Sequence, residues 1–490
     1  MALAPFFDRI YSAVGGHLSV SSDDLAASLK GVTAGIKFSS PLSANDLWAA
    51  ELAVNLLARL YPHIAIAGPE EDRLRLGALA RKINPQIEIV TQAPAELTIG
   101  IGKVKSGASL FPSASGWVAR LSHSEYQPSG VANPYAAGAA ATFAAAELFR
   151  RIFLKTPIEK NIEVSLLNFD AATGSNMQMP PSSLGEVLFV AVGAIGNAAI
   201  WALVRDAERD GHLVLIDNEK LELSNLQRYV LGTFEDVSKQ KVLLASEALR
   251  GSRISVETIT STLEEFADQN RGIPAATICI SVDNVPTRRA AQALLPKLII
   301  NGWTGERALG ASWHIFSQEA ACLACLYQPQ GEGISQTDQA ARSLGLSPER
   351  AALLWVTRLP LSDEDVAAAA KKLGVNREAL EAWRGKSLSD LYTDVVCGAV
   401  PINLPVMSRV ETVPLAHQSA LAGILMACEL VKRTNPELTS MSQPEILVSW
   451  DDILRPAPDI WTKPRAREKG CICNDPDYQQ TYRNKWALPK

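Results

Sequence analysis

The sequence predicts an α/β protein of two Rossmann-like halves, the first degenerate, with a small helical insert and a C-terminal tail carrying paired cysteines. Three observations predict it. Short apolar runs alternate with helix-length segments, the pattern of a mostly parallel sheet covered by helices. A Gly-rich turn joins one such run to a helix around Gly193 and Gly196. The segments ALARKINPQIEIVT and SEALRGSRISVETIT both read as a helix end, a turn and a β-rich stretch. Unrelated α/β units share that pattern, so a true duplication is one of two readings of it.

The elements follow in order. In residues 1–160, Leu47 to Tyr61 reads as a helix apolar on one face. His63 to Ala67 is a buried strand, Glu70 to Ile83 a helix, and Ile87–Thr91, Leu97–Gly100 and Gly116–Ser122 further strands. Asn133 to Phe153 opens with Asn-Pro and runs as an alanine-rich helix. After Ala67 comes Gly-Pro-Glu-Glu-Asp, whose acids and proline suit a bound polyphosphate badly, so this half is expected to hold no nucleotide. Residues 161–335 form the second half. Its strands are Val187–Val192, Leu213–Asp217, Ser255–Ile259, Thr277–Val282, Leu298–Asn301 and Ala311–Phe316, with helices at Asn197–Glu208 and Lys239–Gly251. Residues 336–392 are a helical insert, three of whose segments open on Ser or Asn as helix caps. Residues 393–455 resume the second half through an irregular stretch, the helix His417–Lys432 and the strand Ile446–Trp450. Residues 456–490 are a polar tail.

With 490 residues, 47% of them hydrophobic, the chain can bury full-sized cores. A net charge of -5 gives no basic excess of the kind nucleic-acid enzymes carry. The N-terminus lacks a signal-peptide pattern. The most apolar stretch, Gly185–Val204, is interrupted by Glu186, glycines and Asn197, so it reads as strand, turn and helix rather than a membrane span. A cytoplasmic protein is expected.

The chemistry gathers between Val187 and Arg289. A strand entering a Gly-rich turn and helix aims main-chain N–H groups at a phosphate. Here the turn is Ala191, Gly193, Ile195 and Gly196, with alanine in the first glycine position. Asp217 ends the next strand, where a carboxylate grips ribose hydroxyls. A nicotinamide oxidoreductase fits these features as well. The segment DNEKLELSNLQRYVLGTFEDVSKQK argues against it, because Asn225, Arg228 and Lys241 suit a triphosphate whose α-phosphorus is attacked, and hydride transfer needs no such cations. Glu219 supplies a second acid. Asp283 ends the strand TICISVD and is the Mg2+ candidate, with Asn284 and Arg288 beside it.

Seven cysteines do not make a disulfide framework. Cys322-Leu-Ala-Cys325 and Cys471-Ile-Cys473 give four sulfur ligands for a structural zinc ion, Zn2+, clipping the tail to the second half. A redox pair at Cys322/Cys325 is the alternative reading. Cys397, in TDVVCGAVPINLP, is a candidate nucleophile for an acyl group or else a small buried hydrophobe, and Cys279 and Cys428 fit the latter better. His417 reads as structural at least as readily as functional.

The Gly-rich turn, DNEKLELSNLQR, VSKQKVLLASEAL and SVDNVPTRR together resemble the superfamily that activates ubiquitin, molybdopterin synthase and thiamine sulfur carriers. The resemblance implies an E1-like adenylyltransferase with two adenylation-type domains, the N-terminal one inactive. It implies ATP and Mg2+ as cofactors, ribose binding by Asp217, phosphate contacts from Asn225, Arg228 and Lys241, and Mg2+ at Asp283. CGAVPINLPVMSRVETVPLAHQSALAGILMACELVK resembles the family's crossover region, which places a reactive cysteine at Cys397 and makes the insert a reduced catalytic-cysteine domain. The implied partners are a ubiquitin-like protein, entering by its C-terminal tail, and an E2-like protein. The layout is similar to E1 proteins of bacterial ubiquitin-like conjugation operons that accompany antiviral systems. A sulfur-carrier activator and a non-catalytic scaffold remain open beside this reading. The chain is a pseudo-dimer in itself, and a homodimer stays open.

Overall fold

A computed structural model of the chain describes residues 3–15, 20–157, 160–170, 173–270, 276–305, 308–328, 336–392, 395, 413–443, 447–451, 460–463 and 465–487. They fall into two compact units, residues 1–327 with 414–490, and residues 328–413.

The first unit begins with helices α1 (Phe7–Gly15) and α2 (Ser22–Lys30). A parallel sheet follows from β1 (Ala34–Phe38), β2 (His63–Ala67), β3 (Glu88–Val90) and β4 (Thr98–Ile101), in the order β3-β2-β1-β4. Helices α3 (Ala44–Ala58) and α4 (Glu70–Ile83) connect its strands. Ser43 and Asp46 close a capping box at the start of α3. A separate antiparallel sheet is formed by β5 (Phe111–Ser115), β6 (Val118–Ser122) and β7 (Ile162–Ser165), of which β5 was not foreseen. The strand expected at 116–122 is present as β6 but begins at Val118, because Gly116, where φ is +52°, makes the hairpin turn from β5. Helix α5 (Pro134–Phe149) starts at the Asn133 cap and is buried on every side. Its small residues have a packing reason. A Cβ on Gly138 would come within 2.8 Å of Ile424 and Trp201, on two neighbouring helices.

The larger sheet has eight strands in the order β10-β9-β8-β11-β12-β13-β14-β15. They are β8 (Ser182–Val190), β9 (Arg209–Ile216), β10 (Ile254–Ile259), β11 (Thr277–Ile280), β12 (Leu298–Thr304), β13 (Ala308–His314), β14 (Leu447–Asp451) and β15 (Ile460–Lys463). The strands from β10 to β12 run parallel, and β13 to β15 extend the sheet antiparallel. Helices α6 (Ala194–Leu203), α7 (Lys241–Leu249), α8 (Leu263–Gln269) and α9 (Val285–Ala293) connect the parallel strands, and a short α10 (Leu323–Leu326) follows β13. Strand order reverses around β8, with β9 on one side and β11 on the other. In open sheets that reversal opens a crevice beyond the strands' carboxyl ends.

The second unit is helical: α11 (Gln336–Leu344), α12 (Pro348–Thr357), α13 (Asp363–Leu373) and α14 (Leu388–Leu391). Ser347 and Ser362 cap α12 and α13 as their positions suggest. Asn376 makes no such bond and opens a 3-10 turn instead. Leu354, Val366, Leu380, Trp383 and Leu388 form this unit's core.

The chain returns to the first unit with α15 (Ala416–Thr434), which packs on α5, α6, β12 and β13, and with α16 (Pro436–Met441). A Cβ on Gly423 would lie 2.3 Å from the Ile195 carbonyl, so only glycine lets α15 cross α6 this closely. The tail is more ordered than its polarity suggests. It supplies β15 to the sheet edge and folds into α17 (Pro476–Trp486), whose Trp486 Nε1 donates to the Leu295 carbonyl at 2.9 Å. No described helix is long and apolar enough to cross a membrane.

Candidate active site

The loops leaving β9, β8 and β11 are bonded to one another at the strand-order reversal. Asp217, just past β9, is 8% exposed. Its Oδ2 accepts the Val192 N–H at 2.8 Å and its Oδ1 accepts the Glu219 N–H at 2.9 Å. Burial raises the Asp217 pKa, against the opposing pull of those N–H groups and Lys241. Each carboxylate oxygen keeps a lone pair for a further donor. Past β11, the Ser281 N–H reaches the Val190 carbonyl at 3.2 Å, and its hydroxyl donates to the Ala191 carbonyl at 3.2 Å.

The Gly-rich turn has two tight points and one open one. Ala191 takes a left-handed φ of +68°, which disfavours a side chain. A Cβ on Gly196 would sit 2.3 Å from the Ala191 carbonyl, whereas one on Gly193 meets nothing within 4 Å. Gly193 caps α6 with no side chain of its own, and Ile195 is buried behind it. Open space before an uncapped helix N-terminus suits a phosphate.

The polar segment after Asp217 is a closed loop. The Lys241 N–H donates to the Glu219 carbonyl at 3.0 Å and the Leu221 N–H to the Lys239 carbonyl at 2.8 Å. The Lys241 ammonium is buried and paired with Glu219, whose own side chain is two-thirds exposed at 66%. Asn225 Oδ1 accepts the Glu222 N–H at 3.2 Å, and Arg228 follows it at the end of a 3-10 turn. Within this loop, Tyr229 Oη and Gln227 Oε1 are buried without a hydrogen-bond partner among the described residues. Orphaned polar atoms beside a buried carboxylate call for a polar ligand or water.

The remaining predicted residues divide. Asp283 is exposed beyond β11 and free to meet a cation. Asn284 caps α9 by accepting the Thr287 N–H at 2.9 Å. Arg288 is buried, and its terminal nitrogens donate to Asn301 Oδ1, the Tyr327 hydroxyl and the Val282 and Gly302 carbonyls, so it braces this corner. Cys397 lies outside the described residues. His417 packs against Phe149 in the core, and Cys279 and Cys428 are buried thiols whose pKa burial pushes up.

Cys322, Cys325, Cys471 and Cys473 form a second centre. Their sulfurs all lie within 4.8 Å of one another, and all four residues are buried. Cys322 is 3.6 Å from Cys471, and Cys325 is 3.4 Å from Cys473. The Glu468 N–H points at the Cys325 sulfur at 3.3 Å, an outer bond that favours thiolate. Four convergent sulfurs can hold a metal ion.

Sequence reading missed Ser281 and Asn197. Asn197 is fully buried; its Nδ2 donates to the Gly193 and Ala194 carbonyls at 2.6 and 2.8 Å, and its Oδ1 accepts the Leu231 N–H at 3.2 Å. An amide inside the apolar run IGNAAIWAL was the available signal.

The ThiF family model matches residues 165–445, and a model described as Prokaryotic E2 family C matches residues 41–154. The chain is 32% identical to uncharacterized protein y4jF of Sinorhizobium fredii, over 99% of its own length and 98% of that protein's. It is 28% identical to a sulfur carrier protein adenylyltransferase of Thermus thermophilus, over 33% of this chain and 63% of the relative, so it spans less than two thirds of that protein. The structure of MccB from E. coli with ATP aligns over 59% of this chain and 66% of that one, at 16% identity and a TM-score of 0.36, too remote to carry an argument. The ThiF match takes in the Gly-rich turn, Asp217, the polar loop and Asp283 and extends over more than half of the sequence; the chain belongs to the ThiF family.

Proposed function

We propose that this chain uses ATP to adenylate the C-terminal carboxylate of a ubiquitin-like carrier protein. The observation that supports it most is the bonding of three neighbouring loops around Asp217, with Lys241 and Arg228 on the adjoining loop and Asp283 at the edge. Asp217 accepts the ribose hydroxyls through its spare lone pairs. Arg228, Asn225 and Lys241 take the phosphates, Lys241 exchanging its exposed Glu219 partner for a phosphate oxygen. Asp283 holds Mg2+, which when bound offsets phosphate charge. The carrier's carboxylate oxygen attacks the α-phosphorus in line, the bond to the bridging oxygen breaks, and pyrophosphate leaves an acyl-adenylate behind.

The thiol of Cys397 then attacks the acyl carbon, AMP leaves, and the thioester passes to an E2-like partner. That acceptor lies on another molecule, since residues 41–154 contain no cysteine despite their family match. In this reading the N-terminal half is an adenylation-type fold without a nucleotide, the helical insert 336–392 is the reduced catalytic-cysteine domain, and the four-cysteine centre holds structural zinc. A cytoplasmic role in an antiviral conjugation operon follows from family analogy alone. The matched Thermus protein favours one second reading, adenylation of a sulfur carrier, in which sulfide-level sulfur from a separate donor displaces AMP from the acyl-adenylate and leaves a thiocarboxylate.

The test is carrier-dependent exchange of pyrophosphate into ATP, with wild type and Asp283→Ala. Exchange that needs the carrier and disappears in the variant supports the reading. No exchange with an intact, bound carrier ends it. Thioester trapped on wild type but not on Cys397→Ala separates conjugation from sulfur transfer.

A further inference from the structure

Helix α3 of the N-terminal half grips the polar loop of the other half. Arg59, one residue past α3, is 1% exposed. Its Nε donates to Asn55 Oδ1 at 2.9 Å, its Nη2 to the Gly232 carbonyl at 2.9 Å, and its Nη1 to the Leu226 carbonyl. Asn55 Nδ2 donates to the Val230 carbonyl at 2.9 Å. Buried guanidinium groups are ordinarily matched by carboxylates, as Arg150 is by Glu147 and Arg209 by Asp206. Among the described residues Arg59 has no carboxylate partner, and the bonds it makes there go to main-chain and amide oxygens.

Those three carbonyls bracket Arg228. The Leu231 N–H, between two of them, is taken by Asn197 of α6, which also holds the Gly193 carbonyl of the phosphate turn. The main chain from 226 to 232 is thereby fixed from two directions. Arg59 and Asn55 hold it from the N-terminal half, and Asn197 holds it from the turn helix. A guanidinium suits the first task because its rigid fork spans two carbonyls at once, which a lysine ammonium on a flexible stem does poorly.

We infer that Arg59 and Asn55 are positioning residues for nucleotide binding, through which the N-terminal half sets the loop that presents Asn225 and Arg228 to the triphosphate. The inference rests on the proposed phosphate role of Arg228. It gives a half with no thiol and no phosphate turn a defined part in the neighbouring half's reaction: it fixes the loop in advance, so ATP need not order it on binding.

The test uses the full chain and the variants Arg59→Met, Arg59→Lys and Asn55→Ala. In folded Arg59→Met, amide hydrogen exchange of peptides covering 225–232 speeds by about tenfold or more while the core of β8 and β9 is unchanged. The KM for ATP rises by roughly ten- to a hundredfold with kcat within about threefold, the pattern of lost binding order rather than lost chemistry. Arg59→Lys recovers part of both. Wild-type exchange and wild-type KM in Arg59→Met overturn the inference. If that variant does not fold, Asn55→Ala is read by the same two measurements, with smaller shifts of about three- to tenfold expected from one lost bond. If wild type itself shows no pyrophosphate exchange, the adenylation reading fails separately. Binding of a fluorescent ATP analogue then replaces KM, and unchanged binding and amide exchange in the variants end the inference.

Discussion

The chain contains two parallel sheets whose strand-to-helix turns have opposite fates. After β8, Gly193 faces open space and α6 begins without a charged residue. After β2, a Cβ on Gly68 would lie 2.4 Å from the Phe38 ring, and α4 opens with Glu70, Glu71 and Asp72. One turn leaves a cradle for an anion; the other has an aromatic ring packed against it and three carboxylates at the positive end of its helix. The same layer arrangement therefore offers a candidate anion site in one half and closes it off in the other. What separates them is the handful of residues after a strand, not the fold.

The sharpest way to break this comparison is to add bulk to each turn. Gly196→Val forces its side chain into the Ala191 carbonyl, which accepts the Ser281 hydroxyl, and the expected loss of ATP-dependent exchange is about a hundredfold or more. Gly68→Ala meets only a ring that can shift. It costs about 1–3 kcal/mol of stability and leaves the KM for ATP unchanged. Equal effects on KM would show that the N-terminal turn also touches nucleotide. Both variants are followed by thermal unfolding and exchange assays.

The four-cysteine centre supplies the next effect. It joins α10 to the tail that the sequence presents as merely polar. Because thiolates this close repel unless a cation lies among them, an ion held there would stabilise the clip and its removal would loosen it. A strong chelator, or Cys473→Ser, is expected to lower Tm by about 5 °C or more, with exposure of the Tyr482 and Trp486 side chains seen by fluorescence. A Tm insensitive to chelator would favour a redox pair.

The sequence revealed the second half well because its signals are local. A turn needs small residues, a metal centre needs sulfurs at fixed spacing, and Asp217 sits a strand away from the turn. The strands at 63–67 and the helix at 70–83 were legible for the same reason. What stayed hidden depends on contacts between distant segments. Nothing near Arg59 announces that its partners lie at 226 and 232, and nothing in SVD shows that Ser281 bonds back to Ala191. Arg288 reads as a phosphate contact because it is a cation beside Asp283; only its four packed acceptors show where its charge is directed.

Proton binding at Asp217 gives a smaller and directional effect. Its folded-state pKa is raised, so the folded chain takes up a proton at a higher pH than the unfolded chain does. As pH falls from the raised folded value towards the unfolded value of about 3.9, this group's contribution to stability grows, and it is constant below that. Ribose binding goes the other way, since a protonated oxygen accepts hydroxyl bonds poorly. ATP affinity is expected to fall by roughly tenfold across that window while this contribution to stability rises. Asp217→Asn flattens both profiles. A parallel fall of both in wild type, absent in the variant, would contradict the assignment.

The smallest effect concerns Ala191 itself, which separates this turn from an all-glycine one. A left-handed φ costs a non-glycine residue about 1–2 kcal/mol, and glycine returns about half of that as extra freedom of the unfolded chain. Ala191→Gly should therefore gain no more than about 1 kcal/mol in denaturant unfolding. Its effect on ATP depends on what the methyl group does. If the methyl merely tolerates strain, KM stays put. If it stands between the turn and the phosphates, KM falls by a few-fold as the backbone comes closer. The two halves can then be ranked on one scale: a turn with its ring and acids, a turn with one methyl, and a turn with none.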